Sequence, residues 1–415
     1  MEPINTTGWR SALAGSQMLF VAFGALVLMP LITGMDPNVA LFTAGLGTLM
    51  FQFTTQRQVP VFLASSFAFI APILYSNQTW GLAATLGGLL AAGVMYMLLS
   101  LLVHLRGPGF IRRLLPPVVV GPVIMVIGLG LASVAVNMAM GKAGDGSAQL
   151  VDYPLAILIS MASLVTTIVV AVFAKGIFRL VPILAGVAVG YTLSWILGVV
   201  DFSAVGQANW LAVPGFVTPE FKLAAILFMI PVAIAPAIEH IGDVLAIGSV
   251  TGKDYIRKPG LQRTLLGDGL ATSAAALLGG PPNTTYSEVT GAVMLTRNFN
   301  PNVMVWAAVF AMALAFIDKF GAALLSMPVP VMGGILCLLF GSIAVVGMNT
   351  LIQNQVDLSR PRNLCIVSVT LVFGIGGLMI GNSDFSLQGI SLCGIVAIAL
   401  NLLLPDPDKV EPAAA

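Results

Sequence analysis

Long apolar runs recur along almost the whole chain, and they limit the possible folds more than any other feature of the sequence. From Ser16 to Leu404, apolar stretches of about 17 to 25 residues, the length that spans a bilayer, alternate with short polar breaks. Hydrophobic residues make up 58% of the 415 residues and charged residues 8%, whereas roughly a quarter of the residues in soluble domains are charged. The sequence therefore predicts an all-α membrane protein with a single domain, 1-415.

Breaks rich in charge, proline, glycine or asparagine divide the chain into fourteen predicted transmembrane segments. Numbered in chain order, segments 1 to 14 are 13-33, 38-54, 62-75, 80-104, 115-136, 153-174, 179-199, 222-247, 262-279, 284-297, 301-320, 328-346, 363-381 and 386-404. If the N-terminus is cytoplasmic, fifteen of the eighteen Lys and Arg residues lie inside, and only Lys142, Lys222 and Lys319 lie outside. This distribution obeys the positive-inside rule, so we expect both termini in the cytoplasm.

The two halves of the chain resemble each other. A glycine pair lies in the segment before segment 3 and in the segment before segment 10, and PVVVGPVIMVIG (117-128) matches PVMGGILCLLFG (330-341) in the spacing of proline and glycine. The pairs are Gly45 with Gly47 and Gly267 with Gly269. Because each half has seven segments, an odd number, the second half must enter the membrane with the opposite orientation. Such inverted repeats are typical of secondary transporters, whose substrate sites lie near mid-membrane.

Segments 3 and 10 are too short and too polar for ordinary helices that cross the whole bilayer. Irregular backbone at membrane depth is tolerated only where it is buried in protein or lines a wet cavity. We therefore expect Ser65, Ser66 and residues 285-287 to face one cavity together. The candidate binding residues from these two segments are Ser66, Tyr286 and Ser287.

Four acidic residues fall inside predicted spans, namely Glu239, Asp243, Asp268 and Glu288. A carboxylate at mid-membrane costs about 2.5 to 3.5 kcal/mol even on the lenient insertion scale, so these four need partners or a function. Glu239 and Asp243 share one helix face, and Asp243, Asp268 and Glu239 are the candidates for proton coupling. Asp268, between two glycines, can equally hydrogen-bond a neighbouring helix. His240 turns away from that face and is interpreted as a packing residue.

Other classes of function find no support in the sequence. The three cysteines form no CxxC motif, no paired metal ligands or HExxH pattern occur, and a formal net charge of +1 argues against a nucleic-acid partner. We therefore expect a transporter that is not an enzyme and that needs neither a metal nor an organic cofactor.

The stretch EVTGAVMLTR (288-297) resembles the signature of the nucleobase-ascorbate transporter family, which reads acid or amide, Asn, any residue, Gly, four residues, Thr and a basic residue. NTTYSE just before it, IEHIGD in segment 8, GDG in segment 9, SSFAF in segment 3 and FGALVLMP in segment 1 resemble the uracil permease branch of that family. The chain departs from the family pattern at Val289, which replaces the signature Asn, at Asp243, which replaces a histidine, and at Phe340, which replaces a tyrosine.

The resemblance implies a fold of fourteen segments in two inverted repeats. It implies a core domain (13-104 and 222-320) and a gate domain (115-199 and 328-404), with short strands in segments 3 and 10 and the nucleobase between them. It also implies the roles of several residues. Glu239 and Glu288 would hydrogen-bond the edge of a uracil ring, and the backbone at Phe67 and Ser287 would supply further contacts. Phe67 would flank the ring, and Phe340 is the residue at the tyrosine position of the gate.

The function implied is proton-coupled import of uracil across the cytoplasmic, or inner, membrane by an elevator-like movement of the core against the gate. The resemblance also implies a homodimer formed through the gate domain. Two alternatives remain. One is a carrier of xanthine, uric acid or another purine from the same family. The other is an anion exchanger of the same two-repeat architecture, whose site would favour helix N-termini and a basic residue over four acids.

Overall fold

The computed structural model describes residues 8-381 and 386-405, and these residues are mostly helical. The helices are α1 (Trp9–Thr33), α2 (Pro37–Thr54), α3 (Ile70–Trp80), α4 (Leu82–Arg106), α5 (Pro108–Leu114), α6 (Pro117–Leu129), α7 (Ala132–Ala139), α8 (Tyr153–Phe173), α9 (Pro182–Ile196), α10 (Ser203–Gln207), α11 (Leu223–Val232), α12 (Ile234–Thr251), α13 (Leu261–Leu277), α14 (Ser287–Thr296), α15 (Asn302–Ala315), α16 (Asp318–Leu325), α17 (Val329–Gln353), α18 (Pro361–Ile375) and α19 (Gly389–Leu403). The strands are β1 (Leu63–Ser65), β2 (Asn283–Thr285), β3 (Met379–Gly381) and β4 (Ser386–Gln388).

Six helical stretches within the described ranges are long and apolar enough to cross a membrane. They are Trp9–Thr33, Leu82–Arg106, Pro117–Ala139, Tyr153–Phe173, Leu223–Thr251 and Val329–Gln353. The pair α15 and α16 would make a seventh span, although the two helices meet at 83°. The chain is therefore a multi-pass membrane protein, and the count of fourteen segments stays a prediction.

Several predicted segments are not single straight helices. Segment 11 was expected to run over 301-320, but α15 ends at Ala315 and α16 turns away from it. Segment 8 consists of α11 and α12, which are separated at Ala233, two residues after Pro231. Proline lacks the backbone N–H that a continuous helix needs, so a break close to it is expected. Segment 13 was expected to reach residue 381, whereas α18 ends at Ile375 and β3 pairs with β4 in an antiparallel hairpin.

Helices α2 and α13, which come from different halves of the chain, pack closely in opposite directions. A Cβ atom added to Gly47 of α2 would lie 2.9 Å from the Cβ of Ala271, and one added to Gly267 of α13 would lie 2.7 Å from Cδ2 of Phe51. Residue 47 lies beside residue 271 and residue 51 beside residue 267, so the two helices run antiparallel. Glycine at these positions allows the two backbones to approach, as is common between helices in membranes.

Helices α6 and α17, which begin at the two matched Pro/Gly motifs, also run antiparallel. A Cβ atom added to Gly347 would lie 2.6 Å from the carbonyl oxygen of Gly121, and one added to Gly128 would lie 2.8 Å from the amide nitrogen of Ala344. Gly121 and Gly128 of the first motif are therefore packing positions, whereas nothing lies within 4 Å of a Cβ added to Gly341 of the second.

The helices pack in two groups. In the first group, α13 packs against α2 and α4, and α15 packs against α1 and α2. In the second group, α17 packs against α6, α7 and α8, and α18 packs against α6 and α19. The groups meet where α12 contacts α6, where α11 contacts α19 and where α1 contacts α9. Helix α12 therefore lies at the boundary between them.

We expect Gly269→Ala to destabilise the protein, because the added Cβ would lie 2.9 Å from the carbonyl oxygen of Gly93 and 3.0 Å from the amide nitrogen of Met97 on α4. Overpacking of this kind costs about 1 to 3 kcal/mol. The midpoint of thermal unfolding of the detergent-purified protein should fall. Gly394→Ala is the matched control, since nothing lies within 4 Å of its added Cβ. Equal midpoints for the two variants would contradict this close approach of α13 and α4.

Candidate functional site

The strands β1 and β2 form a two-stranded antiparallel sheet that joins the two halves of the chain. Leu63 faces Thr285 and Ser65 faces Asn283 in the register, and the residues of both strands are buried. The pairing continues at one end, where the Ser66 amide donates to the carbonyl oxygen of Pro282 at 2.9 Å, and the Tyr286 hydroxyl also donates to the carbonyl oxygen of Ser65 at 2.7 Å. The polar backbone of both strands is thus buried in protein, as irregular structure at membrane depth requires.

Side chains of α2 satisfy the backbone on the approach to β1. The Thr48 hydroxyl accepts from the amide of Leu63 at 2.9 Å. The side-chain amide of Gln52 donates to the carbonyl oxygens of Val59 and Val61 at 2.9 and 3.0 Å. A buried backbone carbonyl costs free energy if it has no donor, so these bonds stabilise the extended conformation.

Strand β2 is held in the same way by both neighbouring helices. The hydroxyl of Thr272 on α13 donates to the carbonyl oxygen of Asn283 at 2.8 Å. The side-chain amide of Asn283 donates in turn to the carbonyl oxygen of Thr43 on α2 at 3.0 Å. The antiparallel pair α2 and α13 therefore forms a cradle for the two strands.

Helix α12 brings two of the candidate carboxylates to this sheet. Asp243 is buried, and its Oδ2 accepts from the hydroxyl of Thr285 on β2 at 2.9 Å. Glu239 lies one turn earlier on the same helix and is half-buried. This hydrogen bond joins α12 to the strand.

Asp268 and His240 are in direct polar contact, so His240 is a buried residue with a hydrogen-bonding partner. The Nδ1 atom of His240 lies 2.9 Å from Oδ2 of Asp268, and both side chains are fully buried. The Thr284 hydroxyl donates to the same carboxylate oxygen at 3.3 Å, and the Thr285 hydroxyl lies 3.4 Å from Nδ1. The two Arg–Asp ion pairs of the described residues are exposed.

The aromatic residues assigned to the substrate site face each other across the boundary between the two helix groups. The ring centroids of Phe67, which follows β1, and Phe340 on α17 are 6.4 Å apart, and the rings are nearly perpendicular at 80°. Phe67 is 8% exposed and Phe340 is 2% exposed. Edge-to-face packing of this kind is favourable between aromatic rings. The pair therefore links the segment after β1 to α17.

Several buried polar atoms around the sheet have no hydrogen-bond partner among the described residues. They are the hydroxyl oxygens of Ser65 and Ser66, Oδ1 of Asn283, Nε2 of His240 and Oδ1 of Asp268. Most buried polar atoms in proteins are paired, so a cluster of unpaired atoms calls for a ligand or for water. Two cavities of about 220 Å³ lie elsewhere, between α1 and the start of α9, and none of these atoms lines them.

The structure does not describe the side chains of Ser287 and Glu288. Their backbone begins α14 directly after Tyr286, the N-cap residue of that helix. The first amide groups of a helix have no partner within the helix, so the N-terminus of α14 offers donors beside the sheet. The convergence of Glu239 and Glu288 on one ligand stays a prediction.

Sequence reasoning missed the pairing of His240 and the contact of Thr284 with Asp268. A signal for the first was present, because a carboxylate inside a membrane requires a partner and the chain has only two histidines, His104 and His240. His104 lies in the last turn of α4 and is exposed, which leaves His240 as the basic group nearest to Asp268 in the described interior.

The sequence is similar to named membrane permeases over most of its length. A model described as the permease family matches residues 10-383. The "Probable uracil permease" of Pasteurella multocida is 61% identical over 396 residues, which cover 95% of this chain and 94% of that protein. The "Uracil permease" of Bacillus caldolyticus is 46% identical, with 94% and 90% covered. That of Escherichia coli is 38% identical, with 93% and 89% covered.

Solved transporter structures share the fold at low sequence identity. The transmembrane domain of a cyanobacterium bicarbonate transporter, BicA, has a TM-score of 0.64 at 14% identity and covers 96% of this chain and 99% of that one. The murine solute carrier 26 anion transporter in the inward-facing state has a TM-score of 0.69 at 13% identity, with 97% and 69% covered. These likenesses describe the scaffold and leave the substrate to the residues of the site.

We expect Gln52→Met to destabilise the protein, because two buried carbonyl oxygens, those of Val59 and Val61, lose their donor. Leaving such groups unsatisfied costs about 1 to 3 kcal/mol. The midpoint of thermal unfolding in detergent should fall. Gln353→Met, an exposed change at the end of α17, serves as the control. A midpoint like that of the control would mean that these bonds do not stabilise the approach to β1.

Proposed function

The chain belongs to the nucleobase-ascorbate transporter family, also known as the xanthine/uracil permeases, and we propose that it imports uracil by proton symport. It is thus a permease and not an enzyme. The observation that carries the proposal is the buried β1–β2 sheet, where the unpartnered hydroxyls of Ser65 and Ser66 lie close in sequence to Phe67, which faces Phe340.

The chemistry of uracil fits groups of this kind. Uracil offers two N–H donors and two carbonyl acceptors in one plane, so carboxylates can accept from the N–H groups while hydroxyl or backbone N–H groups donate to the carbonyls. In the proposal, Glu239 and Glu288 are the acceptors. The donors are Ser66 and the backbone at Phe67 and Ser287, with Tyr286 holding Ser65 from the other strand. The names of the relatives, which are uracil permeases at 38% to 61% identity, support uracil over a purine.

Phe67 would flank the ring of the nucleobase, and Phe340 would lie beside it. A neutral heteroaromatic ligand is well matched to an apolar, aromatic-lined pocket with a few placed polar groups. Because Phe67 belongs to the first helix group and Phe340 to the second, the substrate would lie where the two groups meet.

Proton coupling is assigned to the carboxylates of α12 and α13. Asp243 is buried and accepts one hydroxyl bond from Thr285, and Asp268 is buried beside His240. Intramembrane acids of this kind commonly take part in proton transfer. Glu239, which is half-buried on the same face of α12 as Asp243, would link the proton site to the substrate.

The architecture proposed has fourteen segments in two inverted repeats, with a core domain (13-104 and 222-320) that moves like an elevator against a gate domain (115-199 and 328-404). The two packing groups and the antiparallel pairs α2–α13 and α6–α17 support this division. A homodimer through the gate, location in the inner membrane and two cytoplasmic termini complete the proposal. The distribution of Lys and Arg supports the orientation.

We expect uptake of labelled uracil into proteoliposomes containing the purified protein to rise severalfold with an inward proton gradient. The physical reason is that a protonated carboxylate must cross with the substrate. A protonophore should abolish the rise, and empty liposomes are the control. Gradient-independent uptake would contradict proton coupling.

In the same vesicles, unlabelled uracil should compete with labelled uracil better than thymine, hypoxanthine or xanthine. Stronger competition by xanthine would identify a purine carrier instead.

We expect Phe67→Ala to raise the KM for uracil about tenfold, because aromatic contacts of this kind contribute about 0.5 to 1.5 kcal/mol beyond the area that they bury. Phe53→Ala is the matched control, since that ring is 85% exposed on α2. Uptake kinetics in proteoliposomes with equal amounts of protein measure the effect. An unchanged KM for Phe67→Ala would remove Phe67 from the proposed site.

A further inference from the structure

The ring of His240 joins three elements of the fold through one nitrogen atom. Its Nδ1 lies 2.9 Å from Oδ2 of Asp268 on α13 and 3.4 Å from the hydroxyl oxygen of Thr285 on β2. That hydroxyl lies 2.9 Å from Oδ2 of Asp243, one turn further along α12. The Nε2 atom has no partner among the described residues. A continuous chain of polar contacts therefore runs from Asp268 to Asp243.

The protons available to these groups decide which atom donates and which accepts in each contact between Asp268 and Asp243. An ionised carboxylate only accepts hydrogen bonds, so the contact between His240 and Asp268 needs a proton on Nδ1. The Thr285 hydroxyl has a single proton, which points at the carboxylate of Asp243 at 2.9 Å, and its lone pairs face Nδ1. The opposite arrangement, with the proton on Nε2, would make Nδ1 an acceptor that competes with Asp243 for the same hydroxyl proton.

We infer that Asp268 and His240 are positioning residues for Asp243. Asp268 holds His240 in the tautomer that carries the proton on Nδ1, and this tautomer directs the hydroxyl of Thr285 toward Asp243. The tautomer of His240 can be tested whether or not the protein transports uracil. The consequence for transport rests on the proposed function, in which Asp243 is the proton-linked carboxylate.

Other charged and polar groups around the ring are consistent with this assignment. Thr284 donates to the same oxygen of Asp268, so this oxygen is the acceptor in both contacts. Phe51 packs edge-on near the imidazole, with ring centroids 6.4 Å apart, and limits its rotation. The ring orientation is therefore set by α2 and α13 together.

The tautomer can be measured directly, because the chain has only two histidines. Full-length protein labelled with ¹⁵N-histidine should give two sets of ring resonances, and His104→Gln, an exposed change at the end of α4, should remove one set. The remaining spectrum should have a protonated Nδ1 and a bare Nε2. A bare Nδ1 with a protonated Nε2 in the unaltered site would overturn the inference.

Variants of Asp268 and Thr285 distinguish a positioning role of these residues from a role in packing alone. Asp268→Leu, which can accept no hydrogen bond, should produce a mixture of tautomers. Thr285→Val should leave the tautomer unchanged but lower uracil uptake about tenfold, the equivalent of one hydrogen bond to a charged group. Thr285→Ser, which retains the hydroxyl, should restore uptake. Equal uptake by the Val and Ser variants, or an unaltered tautomer in Asp268→Leu, would refute the inference.

Thr264→Val is the matched control for these variants. The Thr264 hydroxyl is also buried, on α13, but it bonds only to the carbonyl oxygen of Leu261 in its own helix at 3.0 Å. This variant should retain both the tautomer and the uptake of the unaltered protein. If Asp268→Leu does not fold, the inference is still tested by the spectrum of the unaltered site and by the comparison of Thr285→Val with Thr285→Ser. Absence of uracil uptake by the unaltered protein would refute the proposed function, while the tautomer would be judged by its spectrum.

Discussion

The bilayer core supplies no water for backbone hydrogen bonds, and this constraint governs the centre of the molecule. β1 and β2 meet it by pairing with each other, and Thr48, Gln52 and Thr272 bond the backbone around them. Each strand belongs to a different half of the chain. Neither strand is satisfied alone, so the central sheet exists only when both halves are folded together.

Close helix packing follows from the same constraint. The cradle of α2 and α13 can hold two strands only if the helices approach closely, and Gly47 and Gly267 allow this. The Thr272 hydroxyl then reaches the carbonyl oxygen of Asn283 on β2 at 2.8 Å, and the Asn283 amide reaches the carbonyl oxygen of Thr43 on α2 at 3.0 Å. The glycines that look like a loose repeat in the sequence are thus packing residues that support the candidate site.

The buried carboxylates of the described interior form short polar contacts with a histidine and with a hydroxyl group. Asp268 is paired with a histidine and Asp243 with a hydroxyl, so each carboxylate in the described interior has a specific partner. A paired histidine or hydroxyl can exchange a proton, whereas a guanidinium cannot. The same fold is found in a bicarbonate transporter and in an anion transporter, so the fold alone does not identify the cargo.

The sequence alone predicted the membrane class, the approximate position of most helices and the family. An apolar run that crosses a bilayer must form a helix, so α1, α4 and α8 lie close to their predicted bounds, whereas α17 runs seven residues past the predicted end at 346. The family resemblance rested on residues 288-297 and their neighbours, and the comparisons confirm it. The break in α11 and α12 and the bend after α15 were not predicted, because apolar composition alone does not report helix direction.

The sequence by itself determined that this chain folds in a membrane and that polar segments near residues 65 and 285 interrupt its helices. Only the tertiary structure decided that Leu63 pairs with Thr285 and that His240 contacts Asp268. These contacts join residues on different elements that are far apart along the chain. Their geometry depends on how helices cross, which local periodicity and composition do not encode.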